Sequence, residues 1–201
     1  MVRDAGIVGA ILAGGASTRM GRDKALVPVA GRPMVEWVAE ALAPVCTEVI
    51  VVGRAEPVAG LRAVPDPGRP HRGPLSGLVA AFQASGGRPV LLVATDQPWV
   101  RTTTLRHLTE RVGDLAAVPV VDGVRQTTCA AYPAALSDLA GDELDGDGSI
   151  QTVLDVAAFD PVTEREWRAW GEDGRSFFGA DDPEAIEEGL RRWGPPGQPP
   201  M

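Results

Sequence analysis

Short apolar runs alternate with helix-like segments along most of this chain, and that alternation restricts the fold more than any other feature. Ile7–Leu12, Glu48–Gly53 and Pro89–Ala94 have the length and apolar content of strands that are buried on both faces. Further strands are predicted at Leu61–Val64, Leu115–Val121, Thr128–Tyr132 and Ala157–Val162. Strands that alternate with helices are typical of a parallel sheet covered on both faces. We therefore predict a three-layer, Rossmann-like α/β fold with a mostly parallel sheet.

Helical spacing of apolar residues fills the intervals between these strands. Pro33 is placed to open one helix, and Gly73–Gly77 is predicted to lead into another over Leu78–Ala84. Further helices are predicted at Thr103–Val112, Ser149–Val156 and Pro183–Trp193. The acidic run Asp142–Asp147 is predicted to be a solvated loop.

The length of 201 residues indicates one domain, which we place at residues 1–193. Residues 194–201 are rich in proline and glycine, and they are predicted to form a disordered tail. Two cysteines are too few for a disulfide framework, so we expect a cytoplasmic protein.

Charge and hydropathy exclude two classes of partner. A formal net charge of −8 argues against a protein that coats nucleic acid, and no apolar run approaches the roughly 20 residues that a membrane span requires. The charge is uneven, since residues 1–75 hold 9 basic and 7 acidic side chains. That part of the chain is suited to a small anion.

A glycine-rich, basic loop follows the first predicted strand. Gly14 and Gly15 allow backbone N–H groups to approach a phosphate closely, and Arg19 and Lys24 add positive charge. The spacing matches neither G-x-G-x-x-G nor the Walker pattern, so a plain glycine-rich turn is the alternative. Of the 19 basic residues only Lys24 is a lysine, and a compact ammonium suits a phosphate oxygen better than the broad guanidinium does. Chance survival in an arginine-biased sequence is the other explanation.

At this point the chain resembles a known family. LAGGASTRMGRDKAL (Leu12–Leu26) is similar to the signature of the nucleotidyltransferases that include molybdenum cofactor guanylyltransferase, the MobA-like NTP transferases. The resemblance extends to Gly31–Met34, Gly73–Leu78 and Thr95–Pro98, and more faintly to Phe177–Ile186. It implies a sheet of the nucleotide-diphospho-sugar transferase type that binds a nucleoside triphosphate with Mg²⁺.

The same resemblance implies roles for individual residues. Lys24, Arg19 and Asp96 match the catalytic positions. The matching nucleotide-binding positions are Leu12, Ala13, Gly14, Gly15, Lys24, Asp66, Gly77 and Asp96.

Two carboxylates are candidates for the metal. Asp96 follows a buried strand, at the sheet edge where ligands bind, and it resembles the family's principal Mg²⁺ ligand. Asp181 matches a position that other branches of the family use on the metal. Capping of the helix at Pro183 by Asp181 or Asp182 is the alternative for this segment.

The resemblance implies transfer of GMP from GTP onto molybdopterin or its molybdenum form, with release of pyrophosphate. Molybdenum-insertion proteins or molybdoenzymes are the further partners that it suggests. A CTP-dependent molybdopterin cytidylyltransferase, or another small-phosphate nucleotidyltransferase, is the alternative. Asp96-Gln97-Pro98 and Asp181 favour that branch, whereas LAGG and GPLSGL favour guanine. A non-catalytic accessory protein that binds nucleotide or cofactor is a candidate of another class, and the intact Lys24 and Asp96 argue against it.

Overall fold

The computed structural model describes residues 6–14, 23–67 and 73–198 of the chain. The strands are β1 (Val8–Leu12), β2 (Pro28–Val29), β3 (Arg32–Pro33), β4 (Glu48–Val52), β5 (Arg62–Val64), β6 (Val90–Ala94), β7 (Ala116–Val121), β8 (Val124–Arg125), β9 (Cys129–Tyr132) and β10 (Phe159–Val162). The α-helices are α1 (Met34–Leu42), α2 (Gly73–Ser85), α3 (Thr102–Arg111), α4 (Ser137–Asp145), α5 (Ile150–Val156), α6 (Glu164–Ala169) and α7 (Pro183–Trp193). None of the helices in this part of the chain is long and apolar enough to cross a membrane.

The main sheet has the strand order β10-β7-β9-β6-β1-β4-β5, with β8 paired to β7. β1 pairs in parallel with both β4 and β6, and β4 pairs in parallel with β5. β9 runs antiparallel to both of its neighbours, β6 and β7, and β10 is parallel to β7. The prediction of a mostly parallel sheet is confirmed, with β9 as a reversed strand inside it.

Helices cover both faces of this sheet, which confirms the three layers. Helices α2, α4 and α5 pack on one face and form the first core with it, and α1, α3 and α6 pack on the other face and form the second core. β1 shows why both faces are apolar: Val8 and Ala10 point into the first core and Ile11 into the second. Successive side chains of a strand point to opposite faces of the sheet, and helices cover both faces here. Side chains on either face therefore pack against helices, and the strand is apolar throughout.

A third, smaller core joins α7 to the β2–β3 hairpin. Trp99 lies at its centre, and its ring is 5.9 Å from that of Phe178 and 6.1 Å from that of Trp193. Trp99 Nε1 also donates to the carbonyl of Gly194 at 2.9 Å. This bond holds Gly194, the first residue of the predicted disordered tail, against the domain. Residues 199–201 lie outside the described part of the chain.

Three helices differ from the sequence prediction, and one of them, α6, lies in a segment for which no helix was predicted. α2 begins at Gly73 instead of Leu78, because Pro74 is accepted in the first turn, where its missing N–H costs nothing. The acidic run predicted as a loop at Asp142–Asp147 is helical as far as Asp145. Ala140 and Leu144, four residues apart, are buried against the first core, and this packing outweighs the acidic composition.

Candidate functional site

The loops that follow β1, β4 and β6 meet at the carboxyl edge of the sheet. Ala13 N donates to the Val52 carbonyl at 3.0 Å, and Thr95 N donates to the Leu12 carbonyl at 3.1 Å. These bonds extend the parallel pairing by one residue beyond each strand. The predicted loop residues therefore lie side by side, at the edge where open α/β sheets bind their ligands.

Gly14 and Gly53 touch each other through their backbones. A Cβ on Gly14 would lie 2.6 Å from the Gly53 carbonyl oxygen, and Gly53 itself has φ +88°. Neither position accepts a side chain, so bare backbone lines this part of the edge. Asp66 is close by, because its Oδ1 would lie 3.5 Å from a Cβ on Gly53. The structure thus brings together Gly14 and Asp66, two of the predicted nucleotide-binding residues.

Gly77 belongs to the same wall. A Cβ there would lie 2.3 Å from Leu12 Cδ2 and 3.1 Å from Val52 Cγ2, so α2 packs against the strand ends without a side chain in between. This close contact places the first turns of α2 beside the carboxyl ends of β1 and β4. Leu12 and Gly77, both predicted at the nucleotide, are thus direct neighbours.

Lys24 opens a short 3₁₀ helix, Lys24–Leu26, that is tied down on both sides. The Asp23 side chain accepts from Ala25 N at 3.1 Å and caps the turn. Ala25 is buried in the second core, and Val27 N closes the turn on the Lys24 carbonyl at 3.2 Å. The backbone of Lys24 is therefore held in place, and the side chain is 20% exposed, less than expected of a solvated loop residue.

Lys24, Asp96 and Asp181 form one cluster, called here the lysine–carboxylate cluster. Lys24 Nζ donates to Asp96 Oδ2 at 2.7 Å and to Asp181 Oδ1 at 2.6 Å. The Asp96 side chain is 24% exposed, and that of Asp181 is 58% exposed. Two carboxylates therefore converge on the Lys24 Nζ atom. Asp96 is the more buried of the two, and Asp181 is the more exposed to solvent.

A backbone contact explains why Asp181 lies beside Asp96. Ala180 N donates to the Asp96 carbonyl at 2.7 Å, and Ala180 is fully buried in the third core. Asp182, the next residue, is the N-cap of α7 and accepts from Ala185 N at 2.8 Å. Of the two aspartates that the sequence offers as caps, Asp182 is the cap and Asp181 faces Lys24.

Burial and charge shift the pKa values of the cluster. Burial opposes the charged form of Lys24, yet the charges of Asp96 and Asp181 and their hydrogen bonds outweigh it and raise the pKa of the ammonium. Burial also raises the pKa of Asp96, and Lys24 acts against that rise. Lys24 is accordingly a cation at neutral pH, held where two carboxylates compete for positive charge.

Two predicted site residues, Gly15 and Arg19, lie outside the described residues. The structure adds two groups that lie within the matched motifs but were given no role from the sequence, the hydroxyls of Ser76 and Thr95. Both are buried and have no hydrogen-bond partner among the described residues. Ser76 precedes Gly77 and Thr95 precedes Asp96, so both unpaired groups are on segments that form this edge. Buried hydroxyls of a native fold are ordinarily hydrogen-bonded, so these two are candidates for contact with a substrate at this edge.

These features define a class: an α/β fold of the nucleotide-diphospho-sugar transferase type, with its polar site at the carboxyl edge of the sheet. Residues 9–162 match the model of the MobA-like NTP transferase domain, and the chain belongs to that family. The family resemblance of the sequence motifs is confirmed.

Named relatives agree with this assignment. The chain is 37% identical over 128 residues to a probable molybdenum cofactor guanylyltransferase of Haloferax mediterranei. The matched region covers 59% of this chain and 61% of that protein. It is 30% identical over 201 residues to a protein of the same name from Natronomonas pharaonis, covering 92% and 96%. The chain thus spans less than two thirds of the first of these relatives and nearly all of the second.

A solved structure supports the fold. The molybdopterin-guanine dinucleotide biosynthesis protein A of Archaeoglobus fulgidus matches with a TM-score of 0.78 at 24% identity, over 92% of this chain and 97% of that one. At this identity the likeness establishes the shared fold.

Proposed function

We propose that this chain transfers GMP from GTP to the phosphate of molybdopterin or its molybdenum form, and that it uses Mg²⁺. The names of its relatives supply the substrates. The observation that carries the proposal is the lysine–carboxylate cluster, which lies at the carboxyl edge where the loops after β1 and β6 meet. The role of molybdenum-insertion proteins or molybdoenzymes as partners stays a prediction.

The residues at this edge fit a magnesium ion. Asp96 and Asp181 both reach within 2.7 Å of one nitrogen atom, so their oxygens already converge on a positive charge. No group of three or more His, Cys, Asp or Glu that could hold a metal occurs within the described ranges. Two carboxylates without further protein ligands are typical of Mg²⁺, which completes its shell with substrate phosphates and water.

The proposed reaction is an in-line displacement. An oxygen of the acceptor phosphate forms a bond to the α-phosphorus of GTP, and the bond from that phosphorus to its bridging oxygen breaks as pyrophosphate leaves. Asp96 and Asp181 would hold Mg²⁺, which neutralises charge on the phosphate oxygens. Catalysis of this kind consists mainly of positioning and charge neutralisation.

Different residues of the chain would bind the triphosphate and the nucleoside. The backbone wall at Gly14 and Gly53 admits the triphosphate closely, because no side chain fits there. Lys24, in a fixed turn, donates to phosphate oxygens and offsets charge on the leaving pyrophosphate. Leu12, Gly77 and Asp66 lie along the same wall, where the nucleoside would bind.

Pyrophosphate release tests the proposal. The four nucleoside triphosphates are each assayed with Mg²⁺ and molybdopterin, and GTP is expected to win by more than tenfold, because buried hydrogen bonds to a base edge discriminate strongly. Asp96→Asn should abolish release. Asp160→Asn is the matched control and should retain activity. Asp160 lies on the distant β10 and is also ion-paired, in this case to Arg111 at 2.5 Å.

Two other outcomes of this assay would give the chain a different function. A preference for CTP would make it a cytidylyltransferase. If no triphosphate released pyrophosphate with any acceptor while nucleotide still bound, the accessory-protein function would replace this one.

A further inference from the structure

Glu172 is a buried carboxylate that the proposed mechanism does not use. It is 3% exposed and accepts hydrogen bonds from five donors of the described residues. Its Oε1 accepts from the N–H groups of Asp173 at 3.0 Å, Gly174 at 2.8 Å and Ser176 at 3.3 Å. Its Oε2 accepts from the hydroxyls of Thr104 and Ser176. These contacts are called the Glu172 network below.

The Glu172 network joins two segments of the chain that are distant in sequence. Thr104 is in the first turn of α3, directly after the loop that carries Asp96. Ser176 lies on the segment that leads to Asp181, and its hydroxyl accepts from Arg101 N at 3.0 Å. Through Glu172 and Ser176, the start of α3 is therefore fastened to the segment that begins at residue 172.

A second fastening lies at the other end of the same two segments. There Ala180 N donates to the Asp96 carbonyl at 2.7 Å, and Trp99 packs edge-on against Phe178 in between. The segments 96–101 and 176–180 thus run side by side and are pinned at both ends. Asp181 follows the last pin directly, so its distance from Lys24 depends on both pins holding.

We propose that Glu172 is a positioning residue, which fixes Asp181 beside Asp96 and Lys24 through Ser176 and Thr104. It touches none of the three side chains of the cluster. The hypothesis rests on the proposed function only for the role of Asp181 as a cation ligand.

The burial of the network explains why it would be effective. Ser176 is fully buried and Thr104 is 1% exposed, so water cannot replace a lost hydroxyl contact easily. Removing one donor loosens the pin near Ser176, while the pin at Ala180 remains. The expected consequence is a displaced Asp181 in a chain that still folds.

The single lysine of the chain makes the test direct. In protein labelled with ¹³C and ¹⁵N at lysine, the side-chain signal reports Lys24 alone. Because Glu172→Ala would bury five unpaired donors and threaten folding, the experiment uses milder variants. Thr104→Val and Ser176→Ala each remove one hydroxyl, and Thr104→Ser keeps it as the conservative rescue. Ser85→Ala is the matched control, because Ser85 is also a buried serine, 1% exposed, but bonds the Phe82 carbonyl within α2.

We expect Thr104→Val and Ser176→Ala to move the Lys24 signal toward its position in Asp181→Asn. Both should weaken binding of Mn²⁺, measured by electron paramagnetic resonance without nucleotide, by about threefold or more, since groups in one network couple measurably. In the Asp181→Asn background neither variant should weaken Mn²⁺ binding further. Thr104→Ser and Ser85→Ala should leave the Lys24 signal where it is.

Two results would overturn the proposal. One is an unmoved Lys24 signal in both Thr104→Val and Ser176→Ala, at whatever cost in stability. The other concerns Thr104→Val or Ser176→Ala combined with Asp181→Asn. If the combined variant loses Mn²⁺ affinity by the product of the two single losses, the network acts independently of Asp181. These measurements use neither GTP nor an acceptor, so a failed guanylyltransferase assay leaves them intact and the two hypotheses fail separately.

Discussion

Lys24→Ala tests whether the ammonium occupies the position of a bound cation. In the parent protein Lys24 Nζ is within 2.7 Å of both Asp96 and Asp181, and the alanine variant leaves these carboxylates facing each other without a positive charge. Stability and turnover should then fall, while the affinity for Mg²⁺ should rise. If Lys24 served folding alone, only the stability would change.

The loss of stability follows from the exposure of the three side chains. The pair with Asp181 is largely solvated, because that side chain is 58% exposed, and exposed pairs contribute at most about 1 kcal/mol. The pair with Asp96 is more buried, at 20% and 24% exposure, and hydrogen bonds to charged groups are worth about 1.5–3 kcal/mol. We expect a loss of about 2 kcal/mol, which lowers the Tm by about 4–8 °C for a chain of this size.

Magnesium should reverse part of that loss. In Lys24→Ala the ion has no ammonium to displace, so it binds more tightly and raises the Tm more than in the parent, because a ligand stabilises by RT ln(1 + [L]/Kd). The assay is a thermal melt of both proteins across a Mg²⁺ titration without nucleotide. Turnover should fall by about 10²-fold even at saturating Mg²⁺, since the phosphate contact is gone.

Arg111→Ala is the matched control. Arg111 also joins two carboxylates, Asp160 at 2.5 Å and Glu166 at 2.7 Å, but through different nitrogen atoms of the guanidinium. Its loss should lower the Tm without a heightened response to Mg²⁺. Equal Mg²⁺-induced shifts in the parent and in Lys24→Ala would refute the reasoning, because the ammonium would then not compete for the cation position.

Further variants test the sheet edge and the cap of α7. Gly14→Ala places a Cβ 2.6 Å from the Gly53 carbonyl oxygen and should cost about 1–3 kcal/mol in chemical denaturation, together with activity. Gly141→Ala, in an open position within α4, should instead stabilise by about 0.5–1 kcal/mol, and a loss there would contradict the assigned helix. Asp182→Ala removes the cap on Ala185 N and should cost about 1 kcal/mol in the same measurement. The Mg²⁺ concentration for half-maximal rate should stay unchanged in Asp182→Ala, and an increase would show that Asp182 also serves the metal.

Much of the fold was predictable because the signals for it are local. Apolar runs such as Ile7–Leu12 and Pro89–Ala94 are strands in the structure within a residue or two at each end. The direction of Cys129–Tyr132 was not predictable, because an apolar run carries no information about which way it pairs. Helix Ser137–Asp145 was missed for a related reason: its two buried residues become a packing face only once α2 lies against them.

The glycines of the site show the same division. The sequence places Gly14 after one predicted strand and Gly53 at the end of another. Only the assembled sheet brings the two backbones into contact and explains why neither position carries a side chain. That contact depends on β1 and β4 being neighbours, which no local pattern specifies.

By itself the sequence determined the type of sheet, the loop that carries Lys24 and the candidacy of Asp96. It left Asp181 and Asp182 equivalent as helix caps, because two adjacent aspartates before a helix have the same chemistry and either can cap it. The tertiary structure decided between them. Ala180 is pinned to the Asp96 carbonyl, so the residue that follows it is carried to Lys24, and the next one is left to cap α7. The choice depends on a hydrogen bond between segments 84 residues apart in the chain, and such a contact exists only once the sheet has folded.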